Sequence, residues 1–369
     1  MLLAVVLLLL ILGSLLFHYL SPWYLTPLAS NWSTIDDTLN ITFWVTGFVF
    51  VTVNLFLAYC VYKFRYKKGN LAHYEPENKK LEGWLIGLTS LGIAAMLTPG
   101  LYVWADFINP PEDASIVEVV GKQWQWSYRY PGLDGKLGTA DTRHTTAANP
   151  FGVNPEDPNG QDDVLVTAGG LHLPINQPVK VLLRSQDVLH DFAVAQFRVK
   201  MDMVPGHVTS LWFTPTVLGK YDVLCEELCG VGHYKMRSFV VVETQESFNA
   251  WLQTMPTYAQ GVATEGSAAP IKGISLIEQG RLLANARGCV ACHSIDGASG
   301  IGPTWKGLFG KTETLADGST VVVDADYFKE SISNPNAKIV TGYAPMMPAS
   351  SFTEAEMAAL IAYVRDGLK

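Results

Sequence analysis

Apolar and polar positions divide the chain into three parts with different patterns. The first part contains three long apolar runs, over residues 1–20, 42–62 and 83–104. Each is close to the ~20 residues that a helix needs to cross the hydrocarbon core of a bilayer. The run at 42–62 contains no charged residue at all. We therefore predict transmembrane helices over 42–62 and 83–104.

The run at residues 1–20 has two interpretations, a further transmembrane helix or a cleaved signal sequence. It lacks the basic segment with which signal sequences begin, and the "SPWYLTP" that follows offers no small-x-small cleavage site. Both features favour a retained helix.

Basic residues are concentrated between the second and third apolar runs, where short loops on the cytoplasmic side of a membrane carry an excess of Lys and Arg. This bias predicts a cytoplasmic loop and places everything after Trp104 outside. The basic residues are Lys63, Arg65, Lys67, Lys68, Lys79 and Lys80.

From residue 112 to residue 250 the pattern changes to short alternating runs separated by Gly, Pro and Asp. Such spacing is typical of a β-sandwich or β-barrel. Within it, the stretch from Pro131 to Asp163 is rich in Gly, Asp, Asn and Pro and is predicted to be a long surface excursion.

The C-terminal part begins after a stretch of small and polar residues, 254–275, which we interpret as a linker with a root-mean-square span of roughly 25 Å. Residues 276–369 have helical periodicity, and Thr353 begins a Thr-x-x-Glu capping box. The chain is thus predicted to be multidomain, with transmembrane helices, a β domain and a small all-α domain. The formal net charge of −8 argues against a nucleic-acid-binding protein.

The first candidate site lies in "VLCEELCGVGHYKMRSF", which contains Cys225, Cys229, His233 and Met236, with His190 upstream. Two cysteines facing an oxidising compartment could form a disulfide. However, thiolates, imidazoles and a thioether together are a ligand set for copper. A mononuclear blue-copper site needs only one cysteine, so a second thiolate is left over. We favour a metal site.

The second candidate site is "GCVACHS", with Cys289, Cys292 and His293. C-x-x-C-H is the attachment site of c-type haem, whereas C-x-x-C alone also occurs in thioredoxin-like redox pairs. The immediate histidine and the preceding helical pattern favour haem. Of the five cysteines only Cys60, inside a predicted span, is then left over.

The C-x-E-x-C-x-x-x-H-x-x-M pattern with a distant upstream His resembles the binuclear CuA loop of cytochrome c oxidase subunit II. The 112–250 segment is then expected to be cupredoxin-like, with two bridging thiolates, two terminal imidazoles, a weak thioether and one backbone carbonyl as copper ligands. In that order, these are Cys225 and Cys229, His190 and His233, Met236, and Glu227. The family also implies that the Glu227 side chain reaches a magnesium at the subunit I boundary.

The resemblance extends beyond the copper loop. In "GKQWQWSYRY", Trp124 matches the tryptophan through which electrons reach the copper pair, although strand packing is the alternative role. In "VKMDMVPG", Asp202 is expected to face subunit I. The chain departs from the family at His207, where an arginine is usual. Glu82 is a candidate for the mouth of a proton channel, against the alternative of a solvated interfacial carboxylate.

The segment 276–369 resembles a class I cytochrome c. This implies that Pro303 flanks the proximal His293 and that the axial methionine lies in "GYAPMMPASSF". Met346 and Met347 compete for that role, and the family pattern favours Met347, directly before proline. A His/Met pair raises the haem potential, which suits an electron carrier.

Together the resemblances imply subunit II of a caa3-type haem-copper oxidase in a bacterial inner membrane, with the copper and haem domains on the periplasmic side. The implied partners are subunit I, carrying haem a, haem a3 and CuB, subunit III, and either a quinol-oxidising complex or soluble cytochrome c as donor. The alternatives are a CuA-containing nitric oxide reductase subunit and a stand-alone membrane-anchored electron-transfer protein. Nitrous oxide reductase is excluded because the chain lacks the histidines of that enzyme's second copper cluster.

Overall fold

The computed structural model describes residues 2–21, 25–69, 71, 76–146, 149–167, 169–265, 275–350 and 352–369. The chain divides into two compact units. The first comprises residues 1–110 with 196–198, and the second comprises 111–195 with 199–369.

The first unit is built on three helices, α1 (Leu2–Leu20), α2 (Ser33–Lys63) and α3 (Lys79–Ile108). By length and composition all three could cross a membrane. Most of their large apolar side chains are exposed, as expected of surfaces that lipid or other helices cover. Helices α2 and α3 are longer than the predicted spans 42–62 and 83–104, because flanking polar residues continue each helix.

The second unit begins with a β-sandwich of two five-stranded sheets, ordered β3-β2-β1-β5-β8 and β4-β10-β9-β6-β7. This architecture confirms the predicted fold class. The strands are β1 (Ser115–Lys122), β2 (Gln125–Tyr130), β3 (Val164–Val166), β4 (Leu171–Pro174), β5 (Val179–Ser185), β6 (His190–Val194), β7 (Val199–Met203), β8 (Thr209–Phe213), β9 (Gly219–Leu224) and β10 (Arg237–Glu243).

Strand pairing determines where the sandwich presents its functional residues. Strand β1 pairs antiparallel with β2 through the turn at residues 122–125, and parallel with β5. Strands β9 and β10 pair antiparallel, so the chain between them forms a loop at one end of the second sheet. Inward-facing side chains such as Val119, Leu183, Phe192 and Val223 are fully buried. This core holds the turn and the loop in place.

A buried ion cluster connects strands β1 and β2 to the long surface excursion. Arg129 is 1% exposed, and its guanidinium contacts Glu118 Oε2 at 2.9 Å, Asp163 Oδ2 at 2.9 Å and the Gly138 carbonyl. Glu118 and Asp163 are themselves buried. The cluster fixes the excursion to the sheet.

Replacing Arg129 with alanine leaves the buried carboxylate of Asp163 without its cation and leaves Glu118 with Arg184 alone. We expect the free energy of unfolding to fall by about 3–5 kcal/mol. The matched control is Arg143→Ala, which removes an exposed ion pair with Asp141 and should change stability little. Thermal unfolding followed by circular dichroism measures both. Equal stability of the two variants would contradict the buried-cluster argument.

The segment predicted as the linker 254–275 is partly helical. Helix α4 (Gln245–Thr254) ends at its beginning, and α5 (Tyr258–Glu265) lies within it. The Tyr258 ring is buried in a small apolar cluster with Phe151 and Val153, and its backbone N–H donates to the Asp163 carbonyl at 2.7 Å. Residues 266–274 of the predicted linker lie outside the described residues.

The C-terminal domain contains helices α6 (Leu276–Ala286), α7 (Cys289–Cys292), α8 (Ala325–Ser333) and α9 (Glu354–Ala362). Its core includes Trp305, Phe328 and Leu360. The predicted capping box forms, because Thr353 Oγ1 accepts from the Glu356 backbone N–H and Glu356 accepts from that of Thr353. A two-stranded hairpin, β11 (Thr312–Thr314) with β12 (Thr320–Val322), adds β structure that the all-α prediction did not include.

Candidate copper and haem sites

The loop between β9 and β10 gathers sulfur ligands at one point. Cys225 Sγ lies 3.7 Å from Cys229 Sγ, and Cys229 Sγ lies 3.8 Å from Met236 Sδ. The Cys225 N–H donates to the Met236 carbonyl, which closes the loop. A disulfide requires sulfurs about 2.05 Å apart, so the two thiols are free in this structure.

Both predicted histidines join this cluster through Nδ1. His190, the first residue of β6, places Nδ1 3.9 Å from Cys225 Sγ, and His233 places Nδ1 3.5 Å from Cys229 Sγ. The Glu227 carbonyl lies 3.2 Å from Cys225 Sγ. All six residues predicted from the copper-loop pattern therefore converge. Two thiols, two imidazoles, a thioether and a carbonyl fit a copper site.

The environment of the two thiols favours a bound cation. Burial raises the pKa of Cys225, but hydrogen bonds with His190 and the backbone at Asp191 outweigh it and bring the value to about 6. Burial and the charge on Cys225 then raise the pKa of Cys229 to about 12. Two adjacent thiolates in a site this buried are stable only when bound metal balances their charge.

Trp124 packs directly against the copper loop. Its indole Nε1 donates to the Cys229 carbonyl at 3.2 Å, and Gln123 Nε2 donates to the same oxygen at 2.8 Å. A Cβ on Gly232 would lie 2.3 Å from the indole, and one on Gly230 would lie 2.9 Å from the Gln123 side chain. The glycines therefore allow close approach of the turn and the loop.

The other residues singled out by the family resemblance are at least partly exposed. Asp202 is exposed on β7, and His207 is exposed in the turn that follows. Glu82 is exposed in the first turn of α3. The Glu227 side chain is half-buried, and only its carbonyl is placed against a thiol. The magnesium and proton-channel roles of Glu227 and Glu82 stay predictions.

The haem motif forms α7 and the residue after it. His293 Nδ1 donates to the Pro303 carbonyl at 2.7 Å, which fixes the ring and leaves Nε2 available as an iron ligand. Burial lowers the pKa of His293, so the imidazole is neutral, as ligation requires. Trp305 stacks on the ring with centroids 5.1 Å apart.

A cavity runs from the haem motif to the predicted methionine loop, and its lining includes Cys289, Cys292, His293 and both methionines. Met347 is half-buried against the core, whereas Met346 is 45% exposed. A mostly apolar cleft between a histidine and a methionine fits a haem. The burial favours Met347 as the axial ligand.

The same cavity is also lined by Gln123 and Trp124 from the sandwich. The two sites are therefore neighbours within the second unit. A Cβ on Gly288, directly before the haem motif, would lie 2.9 Å from Gln125 Oε1, and one on Gly300 would lie 3.6 Å from Lys235 Nζ. The haem motif thus packs against the end of the sandwich that carries the copper loop.

The sequence interpretation missed two residues that contact the copper site, Gln123 and Asp187. Gln123 donates to the Cys229 carbonyl, and Asp187 accepts from His190 Nε2 at 2.8 Å. The spacing of Asp187, three residues before His190, is a sequence signal that could have identified it. Gln123 offered no signal apart from its position beside Trp124.

Two family models match the chain, one over each domain that carries a candidate site. The family model of the cytochrome c oxidase subunit II periplasmic domain matches residues 115–244, and that of cytochrome c matches residues 277–367. The crystal structure of the periplasmic domain of cytochrome oxidase subunit II from Bradyrhizobium japonicum is 28% identical and covers 40% of this chain and 96% of that one, with a TM-score of 0.30.

Two curated relatives extend the match along the chain. The alternative cytochrome c oxidase subunit 2 of Bradyrhizobium diazoefficiens is 59% identical over 69% of this chain and 92% of its own length. The cytochrome c oxidase subunit 2 of Alkalihalophilus pseudofirmus is 26% identical over 92% of this chain and 89% of its own length. The chain therefore belongs to the cytochrome c oxidase subunit 2 family and carries a cytochrome c domain fused behind its copper domain, consistent with the caa3 type.

Proposed function

We propose that this chain accepts electrons at a haem held by Cys289, Cys292 and His293 and passes them through Trp124 to a CuA centre. From there they reach subunit I, where oxygen is reduced to water and protons are pumped. The observation that carries this proposal is the position of Trp124. Its indole lines the haem cavity and also donates a hydrogen bond to the carbonyl of Cys229.

Each set of residues has a separate task in this relay. When bound, the haem iron and the two coppers supply the one-electron redox chemistry. His293 and Met347 would hold the iron, and the hydrogen bond to Pro303 orients His293. Cys225 and Cys229 would hold the coppers together with the other four predicted ligands. Because packed strands already hold these ligands together, little has to move when an electron arrives.

The fusion of the two domains removes the need for a diffusing donor between haem and copper. A short tether maintains an effective concentration on the order of millimolar. The cavity shared by the haem motif and Trp124 supports this direct transfer. An external donor, either a quinol-oxidising complex or a soluble cytochrome c, then needs to reach only the haem domain.

The proposed membrane location and partner subunits are those of the cytochrome c oxidase subunit 2 family. The three apolar helices anchor the chain in the bacterial inner membrane, and the basic loop after α2 lies in the cytoplasm. Both redox domains then face the periplasm. Asp202 and Glu227 face subunit I, where Glu227 contributes to a magnesium site. Subunit III completes the complex.

The Trp124→Ala variant tests the proposed route. We expect electron transfer from haem to copper to slow by about a hundredfold, as when reacting groups are misplaced by an ångström or more. Trp124→Phe should fall between it and the wild type, because it keeps a ring but loses the N–H donor. Rapid-mixing absorption spectroscopy of the purified complex measures copper reduction after haem reduction.

The control is Trp251→Phe, whose indole stacks on His172 in another part of the sandwich. An unchanged rate in Trp124→Ala would rule out the tryptophan route.

Oxygen and nitric oxide uptake with ascorbate and a mediator, measured on the same complex, tests the oxidase function itself. Nitric oxide uptake without oxygen uptake would identify a nitric oxide reductase instead.

A further inference from the structure

Asp187 lies in the turn between β5 and β6 and contacts both the copper site and the turn that carries Trp124. We propose that Asp187 is a positioning residue whose single carboxylate fixes the copper ligand His190 and the Gln123–Trp124 turn in one arrangement. This inference rests on the proposed function and adds a residue to it. The same residue would then affect both how tightly copper is bound and where Trp124 is held.

The first connection is to the metal ligand. His190 is completely buried, and its Nε2 donates to Asp187 Oδ1 at 2.8 Å. Its Nδ1 faces Cys225 Sγ at 3.9 Å. A proton held on Nε2 by a carboxylate leaves the Nδ1 lone pair free for copper and makes the imidazole a stronger donor. Asp187 therefore sets both the tautomer and the direction of the ring.

The second connection is to the turn. The backbone N–H of Gln123 donates to Asp187 Oδ2 at 2.7 Å. From the same turn, the Gln123 side chain and the Trp124 indole both donate to the Cys229 carbonyl. The contacts therefore form a closed ring that runs from Cys229 through Gln123 and Asp187 to His190, and from there through Cys225 back to Cys229. Movement of any one member displaces the others.

A carboxylate satisfies both connections at this position, whereas an amide cannot. The His190 N–H and the Gln123 N–H are both donors, and each uses a different carboxylate oxygen. Asparagine offers one acceptor oxygen and turns an NH₂ group toward the second donor. One of the two connections is therefore lost in Asp187→Asn, and both are lost in Asp187→Ala.

The test compares Asp187→Asn and Asp187→Ala with a matched control in the intact purified complex. The control is Asp222→Asn, which makes the same chemical change three residues before Cys225, just as Asp187 lies three residues before His190. Asp222 is exposed and pairs with Arg237 rather than with a predicted ligand. Three quantities are measured: copper retention against a chelator, the electron paramagnetic resonance spectrum of the copper pair, and its midpoint potential.

We expect the copper affinity of both Asp187 variants to fall about tenfold or more, which is the usual loss when a ligand's hydrogen-bond partner is removed. The copper hyperfine splitting should change and the midpoint potential should rise, because a weaker imidazole and the loss of a negative charge favour the reduced site. The rate of copper reduction by haem should fall more in Asp187→Ala than in Asp187→Asn. The Asp222→Asn control should match the wild type in all measurements.

Covalent haem content in the same samples reports on folding. Copper loss with normal haem content supports the proposal. An unchanged spectrum and potential in both Asp187 variants would overturn it, as would equal loss of haem and copper, which indicates general misfolding. Absence of a CuA signal in the wild type would instead refute the proposed function itself, so the two failures are distinguishable.

Discussion

The Cys229→Ser variant is expected to lose the copper pair and keep its haem. Cys229 Sγ lies 3.7 Å from Cys225 Sγ, 3.5 Å from His233 Nδ1 and 3.8 Å from Met236 Sδ, so its sulfur lies at the centre of the predicted ligand set. Serine replaces a soft thiolate with a hard oxygen that suits copper poorly. Loss of a hydrogen-bond partner behind a ligand costs about 10–100-fold in metal affinity, so loss of a bridging ligand should cost more.

Two measurements check this result. Copper content and the near-infrared CuA absorption should disappear, and oxygen uptake driven through the haem should stop while the haem is still reduced. Cys60→Ser is the control, because Cys60 lies on α2 in the first unit. It removes a thiol that is not among the predicted ligands and should leave copper and activity unchanged. Full copper content in Cys229→Ser would refute the assignment.

The Met347→Leu variant is expected to lower the midpoint potential of the haem strongly. Met347 packs against the core beside the cavity, and a thioether opposite a histidine raises the haem potential. Its removal should shift the potential by a large share of the roughly 0.8 V that axial ligands span. The donor would then no longer reduce the haem, and turnover would stop although the copper site is intact.

Met346→Leu is the matched control for this variant. The two residues are adjacent and both line the cavity, but Met346 is 45% exposed. Redox titration of the haem absorption bands measures both potentials. We expect Met346→Leu to stay near the wild-type value. A large shift in Met346→Leu with none in Met347→Leu would reverse the assignment of the axial ligand.

Local spacing is sufficient to predict most of the two sites. Cysteine, histidine and methionine ligands in a loop of twelve residues must lie near one another when two paired strands hold its ends, as β9 and β10 do. The C-x-x-C-H motif similarly forms one short helical turn with its histidine. His190 and Met347 come from elsewhere in the chain, and both assignments depended on the family resemblance.

Contacts that depend on tertiary packing could not be predicted in the same way. Asp187 reaches Gln123 across 64 positions, and Gln123 reaches Cys229 across 106. Polar residues in turns commonly bond to their own neighbours, so their composition does not reveal distant partners. Part of the segment predicted as a linker is helical for a related reason. The buried ring of Tyr258 packs on residues more than a hundred positions earlier. The composition of a segment shows that it is polar, but it does not show whether one of its side chains packs against a distant part of the chain.

The glycines under Trp124 make the copper loop unsuitable as an independent module. Because a side chain at Gly232 would overlap the indole, and one at Gly230 would crowd Gln123, loop and turn have complementary shapes. Transplanting the twelve-residue loop onto another β-sandwich would transfer its metal ligands but leave the Cys229 carbonyl without its two donors. A designed copper centre that also receives electrons therefore needs two segments transferred together. These are the loop between β9 and β10 and the turn between β1 and β2 that carries Trp124.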